Sequence, residues 1–252
     1  MTPGETGGRR DAHIEKPRRR ATRLSLCFIK QLPLLMPQIF STNLHPSGNL
    51  LLWQTKEESD WFKEQLNLVP GLWVEYESLM NEAIRHRWLA SRYAVQQVSQ
   101  QSPLDVIKDP SGRPYLGVER KPLSISHCEG FVAAIHSDIS VGIDVERISS
   151  RVQKIKNYFM RDEELDLLGI DNESLILAWS AKESIYKWLG EKHLGYKSQL
   201  CIRSIDFIGQ AMKIEINTKD HNLIQPVFFR QDSEKVITWT VGEIGGSIGS
   251  CP

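Results

Sequence analysis

The sequence predicts an α+β protein made of two similar halves, each a small antiparallel sheet packed with helices. Two observations lead to this fold class. Along the chain, a strand, two helices and several strands are followed by two more helices and several strands. The 252 residues, of which 40% are hydrophobic, are enough for one sizeable core or two small ones. No short-period repeat is present, so a duplication would be visible only in the order of the elements.

The chain begins with residues 1–35, which we predict to be a disordered basic extension. Its first thirty residues carry eight Lys or Arg against three Asp or Glu, a composition that buries little apolar surface. The apolar stretch that follows resembles a signal peptide, but Lys30 and Pro33 interrupt it and no small-residue cleavage site follows. We take Met36 as the hypothetical start of the biological protein.

The first half is predicted to span residues 36–140. Apolar residues recur at strand or helix spacing along it, and a turn rich in Asp, Pro, Ser and Gly divides it. The expected elements are a strand "NLLLWQT" (49–55), a helix "EESDWFKEQL" (57–66), a longer helix (76–98) that is basic at Arg85, Arg87 and Arg92, the turn "KDPSGRPYL" (108–116), and extended runs "PLSISHC" and "FVAAIHS".

The second half, residues 141–252, opens with the extended run "SVGIDVERI" (140–148). Two segments with helical periodicity follow, "VQKIKNYFMRDEELDLL" (152–168) and "ESLILAWSAKESIYKWLG" (173–190). The last segments, "CIRSIDFIGQAMKIEINT" and "KVITWTVGEI", alternate as hairpin strands do.

Charge and cysteine content exclude several classes of protein. Lys plus Arg and Asp plus Glu both total 31, so no global field draws the chain to nucleic acid or to an anionic membrane. The four cysteines are scattered without a CxxC pair, which argues against a structural zinc or a disulfide framework and fits a reducing cytoplasm. No apolar run approaches the roughly 20 residues of a membrane span.

Two carboxylates stand in the apolar run "SVGIDVERI". Asp144 and Glu146 are two residues apart, so on a strand they project to the same face, while Ile143 and Val145 face the other way. A cation is expected against them. It is either a metal ion or the side chain of Arg147 or Arg151, and spacing alone does not separate the two.

A second cluster lies in the helix "WSAKESIYKWLG". Glu183 and Lys187 are four residues apart and share a face, with Lys182 about 100° round the helix. An exposed ion pair is the simplest interpretation, but the apolar residues Trp179, Ile185 and Trp188 surround the pair and favour burial. With Asp144 and Glu146, Glu183 makes a set of three hard oxygen donors that suits Mg²⁺ or Mn²⁺.

Ser126 and His127 in "SISHC" are neighbours on a predicted strand, so they point apart and form no catalytic dyad by adjacency. His127 is either a structural histidine or a phosphate ligand. A phosphate site would need more cations, which Arg113 in "SGRPYL" and the arginines of the long helix supply.

The segments "GRPYL", "LSISH", "VGIDVERI" and "WSAKESIYKWLG" occur in this order and at intervals that resemble the 4′-phosphopantetheinyl transferase superfamily. The closest type is the longer, monomeric one that activates peptide synthetases and fatty-acid carrier proteins. The resemblance covers about Met36 to Leu200 by motif. It implies a pseudo-dimer of two α+β halves with coenzyme A bound in the cleft between them.

The same resemblance implies the roles of individual residues. Asp144, Glu146 and Glu183 would ligate Mg²⁺, together with the pyrophosphate of coenzyme A. Arg113 occupies the position of a lysine in the family's Gly-Lys-Pro motif, which keeps the charge and changes the reach. The expected coenzyme A contacts are Arg87, Arg92, Arg113, Ser126, His127, Lys182 and Lys187.

The implied reaction moves the phosphopantetheine arm of coenzyme A to a serine of an apo carrier protein and releases adenosine 3′,5′-bisphosphate. Glu183 would be the base, and Lys187 would stabilise the departing phosphate. Two rival functions are a non-catalytic module of the same fold that binds coenzyme A or a nucleotide phosphate, and a nucleic-acid binder that uses the basic tail. The intact set of three carboxylates with Lys187 argues against the first, and the zero net charge argues against the second.

Overall fold

A computed structural model of the chain describes Met1, residues 38–44 and residues 47–244. The predicted basic extension, apart from Met1, and the hypothetical start at Met36 lie outside the described residues. The elements before residue 140 are the strands β1 Gln38–Asn43 and β2 Asn49–Gln54, the helices α1 Ser59–Gln65, α2 Pro70–Glu77 and α3 Glu82–Ser99, and the strands β3 Val106–Lys108, β4 Pro114–Leu116, β5 Lys121–Cys128 and β6 Phe131–His136.

The elements after residue 140 include one long helix and a sheet of longer strands. They are β7 Val141–Arg147, a 3₁₀ helix Ser150–Lys154, α4 Lys156–Phe159, α5 Asp162–Leu168, α6 Asn172–Leu189, β8 Leu200–Asp206, β9 Ala211–Asn217, β10 Asn222–Gln231 and β11 Lys235–Val241.

The strands form two antiparallel sheets, each packed with helices, which confirms the predicted α+β class. The first sheet has six strands in the order β1-β2-β6-β5-β4-β3, and the second has five in the order β7-β11-β10-β9-β8. Alternate residues of β2 and β6 form one buried cluster with β7 and β11, which includes Leu52, Ile135, Ile143, Val145 and Trp239. This cluster places β7 beside the first sheet.

Two predicted helices differ from the structure, and three strands were not predicted. The predicted helix 76–98 is two helices, because α2 ends at Glu77 and α3 begins only at Glu82, where the Asn81 side chain accepts a hydrogen bond from the Ile84 amide at 3.0 Å. The predicted helix 152–168 is likewise divided among the 3₁₀ helix, α4 and α5. The strands β1, β3 and β10 were not predicted.

Helix α6 carries the candidate site residues and lies directly on β7. The Asp171 side chain caps its first turn by accepting from the Ser174 amide at 2.9 Å, and the helix ends at Gly190 in the left-handed conformation. A Cβ at Gly142 would lie 2.7 Å from the Trp188 amide nitrogen. The missing side chain of Gly142 therefore lets the helix approach the strand.

None of the helices in the described ranges combines the length and the hydropathy that crossing a membrane requires.

Candidate active site

Asp144 lies at the centre of the candidate site, where β7, β5 and α6 meet. Its side chain is buried, and its Oδ1 accepts hydrogen bonds from Ser126 Oγ and from Lys187 Nζ, both at 2.8 Å. Its Oδ2 is buried and has no hydrogen-bond partner among the described residues. An anionic oxygen without a partner in the interior is costly, so this atom has capacity for a further cationic ligand.

Glu146 projects to the same side of β7 as Asp144, as strand geometry predicts. Its Oε1 accepts a hydrogen bond from the indole Nε1 of Trp179 on α6 at 3.2 Å. Burial raises the pKa of Glu146 to about 7, and the negative charge of Asp144 contributes to the shift. Glu146 is thus close enough to Asp144 for the two charges to repel each other.

Glu183 faces the same region from α6. Its Oε1 accepts a hydrogen bond from the Tyr196 hydroxyl at 2.8 Å. Burial raises its pKa, and the charge of Asp144 raises it further. The structure therefore brings the three predicted carboxylates into one electrostatic group.

The predicted alternative, an ion pair with Arg147 or Arg151, is wrong for the described residues. Arg147 donates to Glu234 at 2.6 Å and to the Glu129 carbonyl at 2.8 Å. The cation against Asp144 is Lys187. Within the part of the chain that the structure describes, no arginine is paired with these carboxylates.

The carboxylates fit a divalent cation by charge and donor type. Hard carboxylate oxygens suit Mg²⁺, and the buried Oδ2 of Asp144 has no hydrogen-bond partner among the described residues. The pKa values of Glu146 and Glu183 are raised mainly by burial and further by the charge of Asp144, so a cation bound here would stabilise all three carboxylates. They are not arranged as a finished binding site, since no three His, Cys, Asp or Glu side chains in the described ranges are grouped so as to hold a metal.

A cavity of about 240 Å³ is lined by Arg113 and by Lys187, the partner of Asp144. Arg113 Nη2 donates to the Trp188 carbonyl at 3.0 Å, near the C-terminal end of α6, where a cation is favoured by the helix dipole. Lys187 therefore contacts Asp144 and also lines the cationic cavity.

A second cavity of about 350 Å³ lies between α3 and the β5–β6 hairpin, and its lining includes Arg87 and His127. Both side chains are exposed. The protein packed around the His127 ring lowers its pKa by desolvation, and the charges of Arg87 and Lys187 lower it further. The structure thus brings Arg87 and His127 together as two cationic or hydrogen-bonding groups on one cavity wall.

Ser126 does not accompany His127. The Ser126 side chain is buried and its hydroxyl donates to Asp144, so the two neighbours project to opposite sides of β5. In the structure Ser126 is a hydrogen-bond partner of a carboxylate, and its contact with phosphate stays a prediction.

Lys182 is also placed differently from the expectation. It is fully buried, and its Nζ donates to Glu164 Oε2 at 2.8 Å and to the carbonyls of Phe159, Tyr196 and Leu200 at 2.5, 3.1 and 3.3 Å. The ammonium group therefore donates all of its hydrogen atoms to these four acceptors. Lys182 therefore stabilises the fold and cannot reach a phosphate in this structure.

Arg92 lies in the interior, outside the candidate site. Its guanidinium packs 4.4 Å from the centroid of the Trp88 ring and contacts Glu75 at 3.4 Å. The guanidinium is buried against Glu75, and the expected phosphate contact of Arg92 stays a prediction.

Sequence reasoning missed Tyr196, which lies in the connection between α6 and β8. Its ring stacks on Trp179 with centroids 5.3 Å apart, and its hydroxyl donates to Glu183. A connecting segment has no periodicity, so no pattern in the sequence could have assigned Tyr196 to the site.

Comparison with known proteins gives a consistent family match. Residues 140–241 match the model of the family described as "4'-phosphopantetheinyl transferase superfamily". The chain is 26% identical over 191 residues to the 4'-phosphopantetheinyl transferase gsp of Aneurinibacillus migulanus, an alignment that covers 73% of this chain and 69% of the relative.

Two further relatives are named enterobactin synthase component D. The one from Salmonella austin is 35% identical over 94 residues, or 32% of this chain, and the one from Salmonella typhi is 28% identical over 137 residues, or 48% of this chain. The chain spans 40% and 56% of the length of these two relatives.

Proposed function

We propose, from the match of residues 140–241 to the family model, that the chain is a 4′-phosphopantetheinyl transferase. It would transfer the 4′-phosphopantetheine arm of coenzyme A to a serine of an apo acyl or peptidyl carrier protein. The products are the holo carrier and adenosine 3′,5′-bisphosphate. The observation that carries the proposal is the position of Lys187, whose ammonium lies 2.8 Å from Asp144 and which lines the cavity of Arg113. Anionic and cationic groups thus meet where a metal–pyrophosphate complex would need both.

Coenzyme A would be held by its phosphates. The pyrophosphate lies against Arg113 and Lys187 in the 240 Å³ cavity, and the 3′-phosphate lies against Arg87 and His127 in the second cavity. Arginine forms bidentate hydrogen bonds with phosphate, which favours Arg113 and Arg87 as anchors. Lys182 and Arg92 are left out of this proposal, because both are buried and paired with Glu164 and Glu75.

Mg²⁺ is the proposed metal, with Mn²⁺ as a substitute, and its ligands would be Asp144, Glu146 and Glu183. The chemistry that it supplies when bound is neutralisation of charge on the pyrophosphate. Asp144 contributes its buried, unpartnered Oδ2 to this set. Glu146 contributes a carboxylate that the Trp179 indole already orients.

Glu183 is the proposed base. The raised pKa of its carboxylate matches the task of accepting a proton from the carrier serine hydroxyl. The serine oxygen then forms a bond to the phosphorus that bears the pantetheine arm, and the bond from that phosphorus to the bridging oxygen breaks. Lys187 stabilises the negative charge on the departing phosphate.

The remaining elements of the proposal concern the whole molecule. Residues 36–140 form an N-terminal half, residues 141–252 form a C-terminal half that carries the metal ligands, and residues 1–35 are a basic extension. We propose a cytoplasmic monomer whose partners are coenzyme A and a carrier protein, without a nucleic acid or a membrane.

Incubation with coenzyme A, Mg²⁺ and a panel of apo carrier proteins tests the function directly. Intact mass spectrometry should show one carrier heavier by one phosphopantetheine arm. Glu183→Gln should abolish the transfer, while Glu173→Gln, an exposed residue in the first turn of the same helix, should leave it unchanged. A carrier modified by Glu183→Gln at the wild-type rate would refute the role of Glu183.

A further inference from the structure

One face of α6 presents Trp179, Glu183 and Tyr186, which are spaced four and three residues apart and therefore lie in line. The ring of Tyr196 lies across this face. It stacks on Trp179 at 5.3 Å with an interplanar angle of 17°, and on Tyr186 at 5.9 Å with an angle of 27°. Two aromatic neighbours on either side of Glu183 thus fix the position of the Tyr196 ring.

The backbone of Tyr196 is fixed independently of its ring. Its carbonyl accepts a hydrogen bond from Lys182 Nζ at 3.1 Å, and Lys182 is itself paired with Glu164, both side chains being fully buried. Glu164 also accepts from the amides of Arg161 and Ile202 at 2.8 and 2.7 Å. The segment that carries Tyr196 is therefore attached to the core by a network of satisfied polar groups.

We propose that Tyr196 is a positioning residue that holds the carboxylate of Glu183 in the orientation required for metal binding and proton transfer, through the hydrogen bond from its hydroxyl. Trp179 has a parallel role, because it stacks on Tyr196 and donates its indole N–H to Glu146. The aromatic pair thus directs two of the three carboxylates. This inference rests on the proposed function of Glu183.

The physical need for such a device follows from the side chain of glutamate. Three rotatable bonds separate its carboxylate from the helix, so an unrestrained Glu183 would sample many orientations. The hydroxyl of Tyr196 is only 2.8 Å from Oε1, and Tyr196 is buried, with 8% of the residue exposed, so the donor itself does not move freely. Removing a hydrogen-bond partner of a metal-ligating group typically costs about 10- to 100-fold in metal affinity or activity.

Tyr196→Phe tests the proposal because it removes the hydroxyl and keeps the stacked ring. We expect kcat of transfer to fall about tenfold while KM for coenzyme A is unchanged, since the phosphate contacts are intact. Tyr158→Phe is the matched control. Tyr158 also packs on the Tyr196 ring at 5.8 Å, but it is exposed, and loss of its hydroxyl should change neither kcat nor the thermal midpoint.

Isothermal titration calorimetry of Mn²⁺ binding to the full-length protein gives a second readout that needs no carrier. Tyr196→Phe should weaken binding about tenfold, and Glu183→Gln should weaken it further. The combined variant should bind no more weakly than Glu183→Gln, because the hydroxyl acts through Glu183 alone. Additive losses would overturn the proposal and assign Tyr196 a general structural role.

The two readouts separate this inference from the proposed function. Wild-type protein that binds Mn²⁺ with the expected dependence on Tyr196 but modifies no carrier would refute the function and support the positioning role. Transfer with wild-type kcat by a folded Tyr196→Phe variant would refute the positioning role alone. Protein that neither binds Mn²⁺ nor modifies a carrier would refute both.

Discussion

Gly142→Ala should destabilise the protein, because the β7–α6 contact leaves no space for a methyl group. The new Cβ would lie 2.7 Å from the Trp188 amide nitrogen, 2.9 Å from Trp188 Cβ and closer still to the Ser184 carbonyl oxygen. Backbone atoms cannot rotate away as the end of a flexible side chain can, so helix and strand must separate. Such overpacking costs about 1–3 kcal/mol, offset by roughly 0.4–1 kcal/mol from the loss of glycine flexibility in the unfolded chain.

The net cost is therefore about 1–2 kcal/mol, which for a domain of this size lowers the thermal midpoint by about 2–8 °C. Circular dichroism during a thermal scan measures the midpoint. Gly71→Ala in α2 is the matched control, because a Cβ there meets no atom within 4 Å, and its midpoint should be unchanged or raised. A Gly142→Ala midpoint equal to that of the wild type would refute the argument from close approach.

Three further predictions concern the buried charges, the helix cap and the metal. Lys182→Met should cost about 3–5 kcal/mol in the free energy of unfolding measured with urea, because it leaves Glu164 as an uncompensated buried charge. Adding Glu164→Leu should recover only part of the loss, because the amides of Arg161 and Ile202 then lose their acceptor. Asp171→Ala should cost about 1 kcal/mol at pH 7 through loss of the cap on α6. The hydrogen bond from the Ser174 amide lowers the pKa of Asp171 in the folded protein, so this stabilisation is present above the ordinary aspartate pKa and is lost as pH falls through the lowered value. The difference in free energy of unfolding between the wild type and Asp171→Ala should therefore disappear in strong acid. A difference that does not change with pH would contradict an ionised cap. Asp144→Ala should lose both transfer activity and its dependence on added Mg²⁺ after chelation, and an unchanged Mg²⁺ titration would count against Asp144 as a ligand.

Local rules were enough to predict the strand part of the site. Alternation along β7 puts Asp144 and Glu146 on one face and Ile143 and Val145 on the other, and the structure has both pairs as expected. The rule works because the side-chain period of a strand is fixed by backbone geometry. The four-residue spacing of Glu183 and Lys187 was predictable for the same kind of reason.

The sequence could not predict β10, which contains Pro226. Proline has no amide hydrogen to donate to a neighbouring strand, so its presence argues against a strand in the middle of a sheet. The structure shows why it is tolerated. Pairing of β10 with β11 covers only Phe228 to Gln231, and beyond it the Pro226 carbonyl accepts instead from the Thr240 hydroxyl at 2.8 Å. No backbone donor is required at Pro226, a fact that depends on contacts distant in sequence.

The two lysines of the α6 segment show most clearly where local pattern stops being informative. Lys182 and Lys187 are five residues apart, so they point about 140° apart around the helix, and only their surroundings assign them roles. Lys182 faces the side covered by α5 and the 196–200 segment, where Glu164 neutralises it in the interior. Lys187 faces the junction with β7, where it is partly exposed and paired with Asp144. The covered side of the helix therefore gives Lys182 a structural role, and the partly exposed side gives Lys187 a role in the proposed reaction. A substitution of Lys182 should be measured by unfolding, and a substitution of Lys187 by transfer kinetics.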